Sequence, residues 1–300
     1  MGTKSRIALG VVVKNFRRLA KHPWIGAKLA TLQGEKWIFN LLYPRVRTGE
    51  ARKIRQLSFR ITDLCNLRCH TCGQWGDQGF LHGQNLRDLK RNEVSLDRYL
   101  EVLGDLTRHG HHPFVYLWGG EPMLYEGSLQ LIEAAAALKL PTAIATNGTR
   151  VAAAAERLVK APMFLLQLSI DGPDAALHNQ ARPGVGGADN FADIQAALAA
   201  VGEAKRAHGS TLPLIASLTT ISQANFRHLV DIYEAFRDKV DLFVFYLSWW
   251  IDAARCQAHE ADFRRRFGFT PVRPRGWVGD WKPDDYRELN RQLEAVVERS

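Results

Sequence analysis

From residue 56 onward, short apolar β-prone runs alternate with stretches of helical period. The runs QLSFRIT (56–62), PFVYLW (113–118), PTAIAT (141–146), MFLLQLSI (163–170), PLIASLTTI (213–221) and LFVFYLS (242–248) are predicted strands. Between and after them, helical spacing predicts helices at about 95–109, 127–138, 150–160, 190–207, 224–237 and 283–298. Start signals agree: Asp189 and Asn190 precede FADIQAALAAV, Ser222 precedes QANFRHLVDIY, and Pro283 with two aspartates precedes YRELNRQLEAVV. Strands that are apolar on both faces and separated by helices imply parallel βαβ units. Six such units predict an α/β fold of open or partial barrel form. Residues 74–94 are polar and glycine-rich, an insertion after the first strand, and residues 252–282 show no clear period.

Composition changes this picture little. The 300 residues are 46% hydrophobic and 24% charged, enough for one large domain core. The longest apolar runs fall far short of the roughly 20 residues needed to cross a bilayer. IALGVVV (7–13) is interrupted at once by Lys14, Arg17 and Arg18, which argues against a secretion signal. Charge, by contrast, divides the chain. Residues 1–55 hold 13 Lys/Arg against 2 Asp/Glu, a net +11 that exceeds the +9 of the whole. Three regions are therefore expected: a basic, amphipathic, helical amino-terminal extension (1–54), the barrel (55–250), and a loop and helix (251–300) that complete the barrel or lead into a further portion.

The extension mixes Lys/Arg with Trp24, Trp37, Phe39 and Leu41. That composition suits a helix lying on an anionic membrane surface, and equally docking to a protein or an RNA backbone. Base-stacking repeats and RNA-binding signatures are absent, which argues against nucleic acid as a partner.

Chemistry gathers at the carboxyl ends of strands in parallel α/β architectures. The first strand is followed by DLCNLRCHTC, the second by GGEP, the third by NGT and the fourth by DGPD. Three of the four cysteines, Cys65, Cys69 and Cys72, lie within eight positions, too few for a disulfide framework, and they point to a metal centre in a reducing, cytoplasmic compartment. Three thiolates can hold three irons of a [4Fe–4S] cluster and leave the fourth open. A zinc site recruiting His70 or His82 is the competing reading. HGHH (109–112) sits at the opposite barrel end and reads as a polar loop.

CxxxCxxC after the first strand, followed by GGEP after the second, resembles the radical S-adenosylmethionine (SAM) superfamily over roughly residues 56–250. The resemblance implies a partial (β/α)6 TIM-like barrel and a cluster held by Cys65, Cys69 and Cys72. It implies SAM chelated by its amino and carboxylate groups, an external one-electron reductant, and hydrogen abstraction by a 5′-deoxyadenosyl radical. Gly119, Gly120 and Glu121 match the motif whose backbone meets the methionine ammonium. Ser169, in QLSIDG, resembles a serine that meets ribose or methionine, with Asp171 adjacent. HNQARPG resembles a His-x₃-Arg-x-Gly segment whose arginine, here Arg182, grips the SAM carboxylate. Thr146 and Asn147 stand where relatives contact SAM. Thr71 replaces an aromatic residue usual before the third cysteine, so adenine packing is expected from Trp75 or Ile221. SIDG and HNQARPG look most like the peptide-modifying branch, so a peptide substrate is expected. RNA, a small metabolite, or a non-catalytic iron–sulfur or zinc protein are the alternatives. Cys256 begins no auxiliary-cluster motif, since Arg273 stands where the next cysteine would fall, and it is expected to be a free thiol. Trp249 and Trp250, with Tyr246, are expected near the substrate opening.

Overall fold

The computed structural model describes residues 53–300 apart from 249 and 272, with scattered positions between 23 and 41. Six strands form one parallel sheet in chain order: β1 (Gln56–Thr62), β2 (Phe114–Gly119), β3 (Thr142–Thr146), β4 (Leu165–Ser169), β5 (Leu214–Ile221) and β6 (Leu242–Leu247). Each expected strand is present, within a few residues. The helices are α1 (Leu86–Arg91), α2 (Leu96–Arg108), α3 (Ser128–Ala137), α4 (Val151–Lys160), α5 (Ala175–Ala181), α6 (Asn190–Ala207), α7 (Leu229–Phe236), α8 (Ala253–Phe267) and α9 (Pro283–Arg299). The expected α/β partial barrel is the observed fold.

Alternation assigns the two faces of the sheet. Ile61, Val115, Leu117, Ile144, Leu166 and Leu168 are buried with the helices in one continuous core. Side chains one position on, such as Tyr116, Gln167 and Ala216, therefore point to the other, concave face. At the amino-terminal end the concave side is closed by Leu212 and Leu214 packed with Phe164 and Leu165. The Phe114 and Phe164 rings meet edge-on there at 6.0 Å.

Four helices depart from expectation: α1 and α5 were not among those expected, α8 falls in a stretch without clear period, and α7 starts late. The stretch at 252–282 contains the fifteen-residue α8, capped by the Asp252 side chain at its start and by Gly268 with a left-handed φ of 76° at its end. Its period was illegible because one residue of the helix, Cys256, is buried. The helix expected at 224–237 begins at Leu229, because Asn225 turns the preceding chain by accepting from Ser222 N at 2.8 Å. Most of the basic extension lies outside the described residues; the positions that are described, among them Trp37, Ile38 and Leu41, are helical and exposed. Trp249 also lies outside them. No described helix is long and apolar enough to cross a membrane.

Candidate functional site

The loop after β1 carries Cys65, Cys69 and Cys72 and is held from three sides. Its backbone pairs with the segment after α5: Arg68 N donates to Pro183 O at 2.8 Å, His70 N to Ala181 O at 3.2 Å and Val185 N to Asn66 O at 3.0 Å. Trp75 closes the loop from within, donating Nε1–H to Asp63 O at 2.7 Å beneath the Arg68 guanidinium, 4.3 Å from its ring centre. At 3% exposure and with that face covered, Trp75 is a strut of the loop and not the adenine platform expected of it. Ile221 is buried at 3% exposure in the helix-side core.

Each of the three sulfurs meets an N–H group. Leu67 N lies 3.5 Å from Cys65 Sγ, Trp75 N 3.4 Å from Cys72 Sγ, and Arg182 Nη1 3.7 Å from Cys69 Sγ. Burial pushes the Cys65 thiol up to about 12 and the Cys69 thiol up to about 11, Arg182 opposing the second shift. Without a positive centre these thiols stay protonated; the N–H groups are aimed where thiolate charge would sit. Among the described residues no three His, Cys, Asp or Glu side chains converge on a point that could hold a single metal ion. Three cysteines on one loop, each facing an N–H donor, suit a cluster, whose cysteines bind separate irons.

The turn after β2 packs against this loop with no room for side chains. A Cβ on Gly120 would lie 2.2 Å from Leu64 O, and one on Gly119, at φ 151°, 2.3 Å from Thr62 O. Gly120 N donates to Thr62 O and Glu121 N to Leu64 O, at 2.8 and 2.7 Å, so the two turns run side by side.

Glu121 is 1% exposed and its carboxylate is fully engaged. Oε1 accepts from Met123 N at 2.9 Å and Thr146 Oγ1 at 2.6 Å, and Oε2 from Asn147 N at 2.7 Å. Burial raises its pKa and these three donors pull it back. Thr146 and Asn147 therefore use their polar groups to tie the end of β3 to the end of β2. The Asn147 amide also donates to Asn66 Oδ1 at 2.8 Å, and Asn66 in turn to Thr149 Oγ1 at 3.1 Å.

The end of β4 joins the same network. His178, fully buried on α5, accepts from Asp171 N at Nδ1, so its Nε2 carries the proton and donates to Asn190 Oδ1 at 3.0 Å. Asn190 Nδ2 donates to Asn147 O at 2.9 Å. Asp171, 1% exposed, accepts from Thr220 N and from Arg182 Nε, at 2.8 and 2.6 Å. Of the expected SAM contacts, Arg182 thus lies between Asp171 and Cys69, and Ser169 is half-buried on the concave face. Asn66, Asn190 and Asn225 were missed as site residues. Only Asn190 carried a signal, as a helix-start residue; Asn225 donates Nδ2–H to Asp171 O at 3.0 Å.

Away from the strand ends, clefts of about 410 Å³ between α3 and α4 and about 370 Å³ beside Tyr125 bring no such chemistry together. Cys256 is buried, its thiol 3.9 Å from Glu260 Oε1, and unpaired with another cysteine. His111 of the HGHH run accepts from Ile54 N before β1, at the barrel end opposite the cysteines.

Residues 59–231 match the family model of the Radical SAM superfamily. The chain belongs to the radical SAM superfamily, a family that uses a [4Fe–4S] cluster and SAM. Among curated proteins it is 33% identical over 125 residues to GTP 3′,8-cyclase of Synechocystis, covering 41% of this chain and 36% of that protein. It is 30% identical to pre-heme d1 synthase of Dinoroseobacter shibae, covering 71% and 47%. Streptococcus suis SuiB, solved bound to its precursor peptide SuiA, superposes with a TM-score of 0.58 at 17% identity, covering 90% of this chain and 52% of that one. The chain thus spans about a third to a half of the length of these relatives, and the last likeness concerns the fold.

Proposed function

We propose that this chain is a radical SAM enzyme whose cluster is held by Cys65, Cys69 and Cys72 and whose substrate enters the open side of the barrel. The observation that carries this is the set of three sulfurs in one buried loop, each facing an N–H donor. Cluster and SAM together supply one-electron cleavage of SAM to methionine and a 5′-deoxyadenosyl radical. The chain's own residues do the positioning. Gly119 and Gly120 let backbone approach the methionine end. Arg182, already oriented by Asp171, presents its remaining N–H groups to a carboxylate, and Ser169 offers a hydroxyl from the concave face. Glu121, Thr146, Asn147 and Asp171 act behind them, fixing the strand ends.

SIDG and HNQARPG favour a peptide substrate. The likeness to SuiB agrees in fold, whereas the curated relatives named above point to small molecules. An external one-electron reductant completes the reaction. The exposed Trp37, Ile38 and Leu41 in the basic extension favour a second role for that segment, peripheral contact with an anionic membrane surface. Anaerobic incubation with dithionite and SAM tests the activity. Production of 5′-deoxyadenosine and methionine is expected, and their absence from iron-loaded protein would remove the reading.

A further inference from the structure

The cysteine loop meets a ring that comes from the far end of the chain. Gly73 follows Cys72, and a Cβ there would lie 2.2 Å from Cζ2 of Trp277 and 2.7 Å from its Cε2 and Cη2. The φ of Gly73 is ordinary, and its three nearest neighbours all belong to that one indole, so a glycine stands here to make room for the ring. Consecutive Cα atoms are about 3.8 Å apart, which puts the ring beside Cys72. Cys72 is only half-buried, whereas Cys69 is buried.

The backbone of Trp277 belongs to the other edge of the sheet. It ends the short 3-10 turn Arg273–Trp277 that follows α8. Trp277 O accepts from Ile251 N at 2.8 Å, just beyond β6, and Gly279 N donates back to Ile251 O at 3.0 Å. Arg275 grips Glu260 of α8 through Nε and Nη2, at 2.6 and 3.1 Å. Trp281, 8% exposed, packs on Phe226 with ring centres 5.3 Å apart. Anchored there, Trp277 reaches the loop that leaves β1, the strand at the opposite edge. It lies beyond residues 59–231, which match the family model, so this contact comes from the chain's own carboxyl-terminal region.

We propose that Trp277 tunes the cluster, its ring covering the Cys72 turn and excluding water from that side of the centre. The inference rests on the proposed role of Cys65, Cys69 and Cys72 as cluster ligands. The loop's backbone is already held by Pro183 and Ala181, so the ring contributes cover and not shape. The apolar shell of a metal centre controls solvent access and local dielectric, and through them the reduction potential. A reduced cluster carries one more negative charge than an oxidised one, and that charge is disfavoured where water is kept out. A covered centre is therefore harder to reduce and, once reduced, the stronger electron donor.

Midpoint potentials of the iron-reconstituted full chain, followed by paramagnetic resonance, test it beside thermal unfolding of the same samples. Trp277→Ala should shift the midpoint to a more positive value, and Trp277→Phe, which keeps a ring, should stay near the unaltered protein. Gly73→Ala, whose methyl drives the indole away, should shift it in the same direction as Trp277→Ala. In the double variant that methyl takes the space the ring has left, so Gly73→Ala should add nothing to Trp277→Ala. Unfolding temperatures that fall while the midpoints stay in place would reduce the contact to packing and overturn the proposal. A Gly73→Ala shift that persists without Trp277 would overturn it too. Should Trp277→Ala fail to fold, Gly73→Ala and Trp277→Phe decide alone, and an unchanged midpoint in Gly73→Ala is the negative result. Unaltered protein that takes up no iron would remove the cluster assignment and this inference together, whereas equal midpoints across iron-loaded variants would remove this inference only.

Discussion

Arg182 donates Nε–H to Asp171 Oδ2 at 2.6 Å, with the arginine side chain 11% and the aspartate side chain 2% exposed. Burial lowers the arginine's pKa, but the charge of Asp171 and its hydrogen bond more than offset this, and it stays protonated. Removing one partner strands the other's charge in the interior, a loss of about 3–5 kcal/mol. Arg182→Ala should therefore lower the urea midpoint sharply. Arg182→Met combined with Asp171→Asn, which retains an oxygen for Thr220 N, should recover most of that loss. SAM affinity is then informative in the double variant, where weakening by about 1.5–3 kcal/mol is expected for a lost charge-assisted hydrogen bond. Unchanged affinity there would confine Arg182 to the ion pair.

Iron reconstitution tests the cysteine loop. About four irons and four sulfides per chain are expected, with loss of the reduced-cluster paramagnetic signal on changing Cys65, Cys69 or Cys72 to Ala. Far-ultraviolet circular dichroism should be unchanged, since these residues lie in a loop outside the strands. Zinc uptake without such a signal in the unaltered protein would defeat the assignment.

Glu121 probes the scaffold. In Glu121→Gln an amide NH₂ replaces one oxygen and confronts a donor, leaving a buried N–H unpaired at a cost of about 1–3 kcal/mol. The urea midpoint should fall accordingly. A neutral result would mean that the carboxyl is protonated and already donates one bond.

His178 gives the fold an acid sensitivity. Burial depresses its folded-state pKa below the ordinary 6.5, with the Arg182 charge acting in the same direction and Asn190 opposing. The unfolded chain therefore takes up this proton first. Its contribution to stability is full above about pH 6.5 and is lost as pH falls from there toward the lower folded-state value. His178→Gln should be less stable at pH 7.5, and its unfolding temperature should vary less between pH 7.5 and 5. Equal slopes for the two proteins would remove His178 as the cause.

The basic extension should govern association. Exposed charges are screened as the Debye length falls from about 10 Å at 0.1 M salt to about 3 Å at 1 M. The full chain should pellet with anionic vesicles at low salt and be released at high salt, and a form lacking residues 1–50 should stay in solution. Equal pelleting of both forms would place the contact elsewhere.

The strands and the cysteine loop were legible because burial on both faces leaves a continuous apolar signature and because thiols at close spacing have few uses. The roles of Thr146, Asn147 and Asp171 were less so. Sequence position puts them at strand ends, but only the fold shows their polar atoms bonded to Glu121, Asn190 and Arg182. Helix α8 escaped notice for the converse reason. Rich in Arg and Ala, it lacks the apolar stripe that periodicity reads.

Strands β1 and β6 are the two ends of the sheet and do not pair with each other. No ladder of hydrogen bonds therefore fixes the width of the aperture between them, as closure does in a complete barrel. β6 is secured by β5 on one side, and its side chains are half-buried or exposed along its length. Swinging it outward would strain that ladder and the packing of Phe243, Phe245 and Leu247 on the core, and leave the Glu121–Asn147–Asn190 scaffold, which joins β2, β3 and α6, untouched. The entrance can thus dilate for a bulky guest while the cysteine loop keeps its geometry, so that the size of molecule admitted and the rigidity of the reacting centre are set by different parts of the chain.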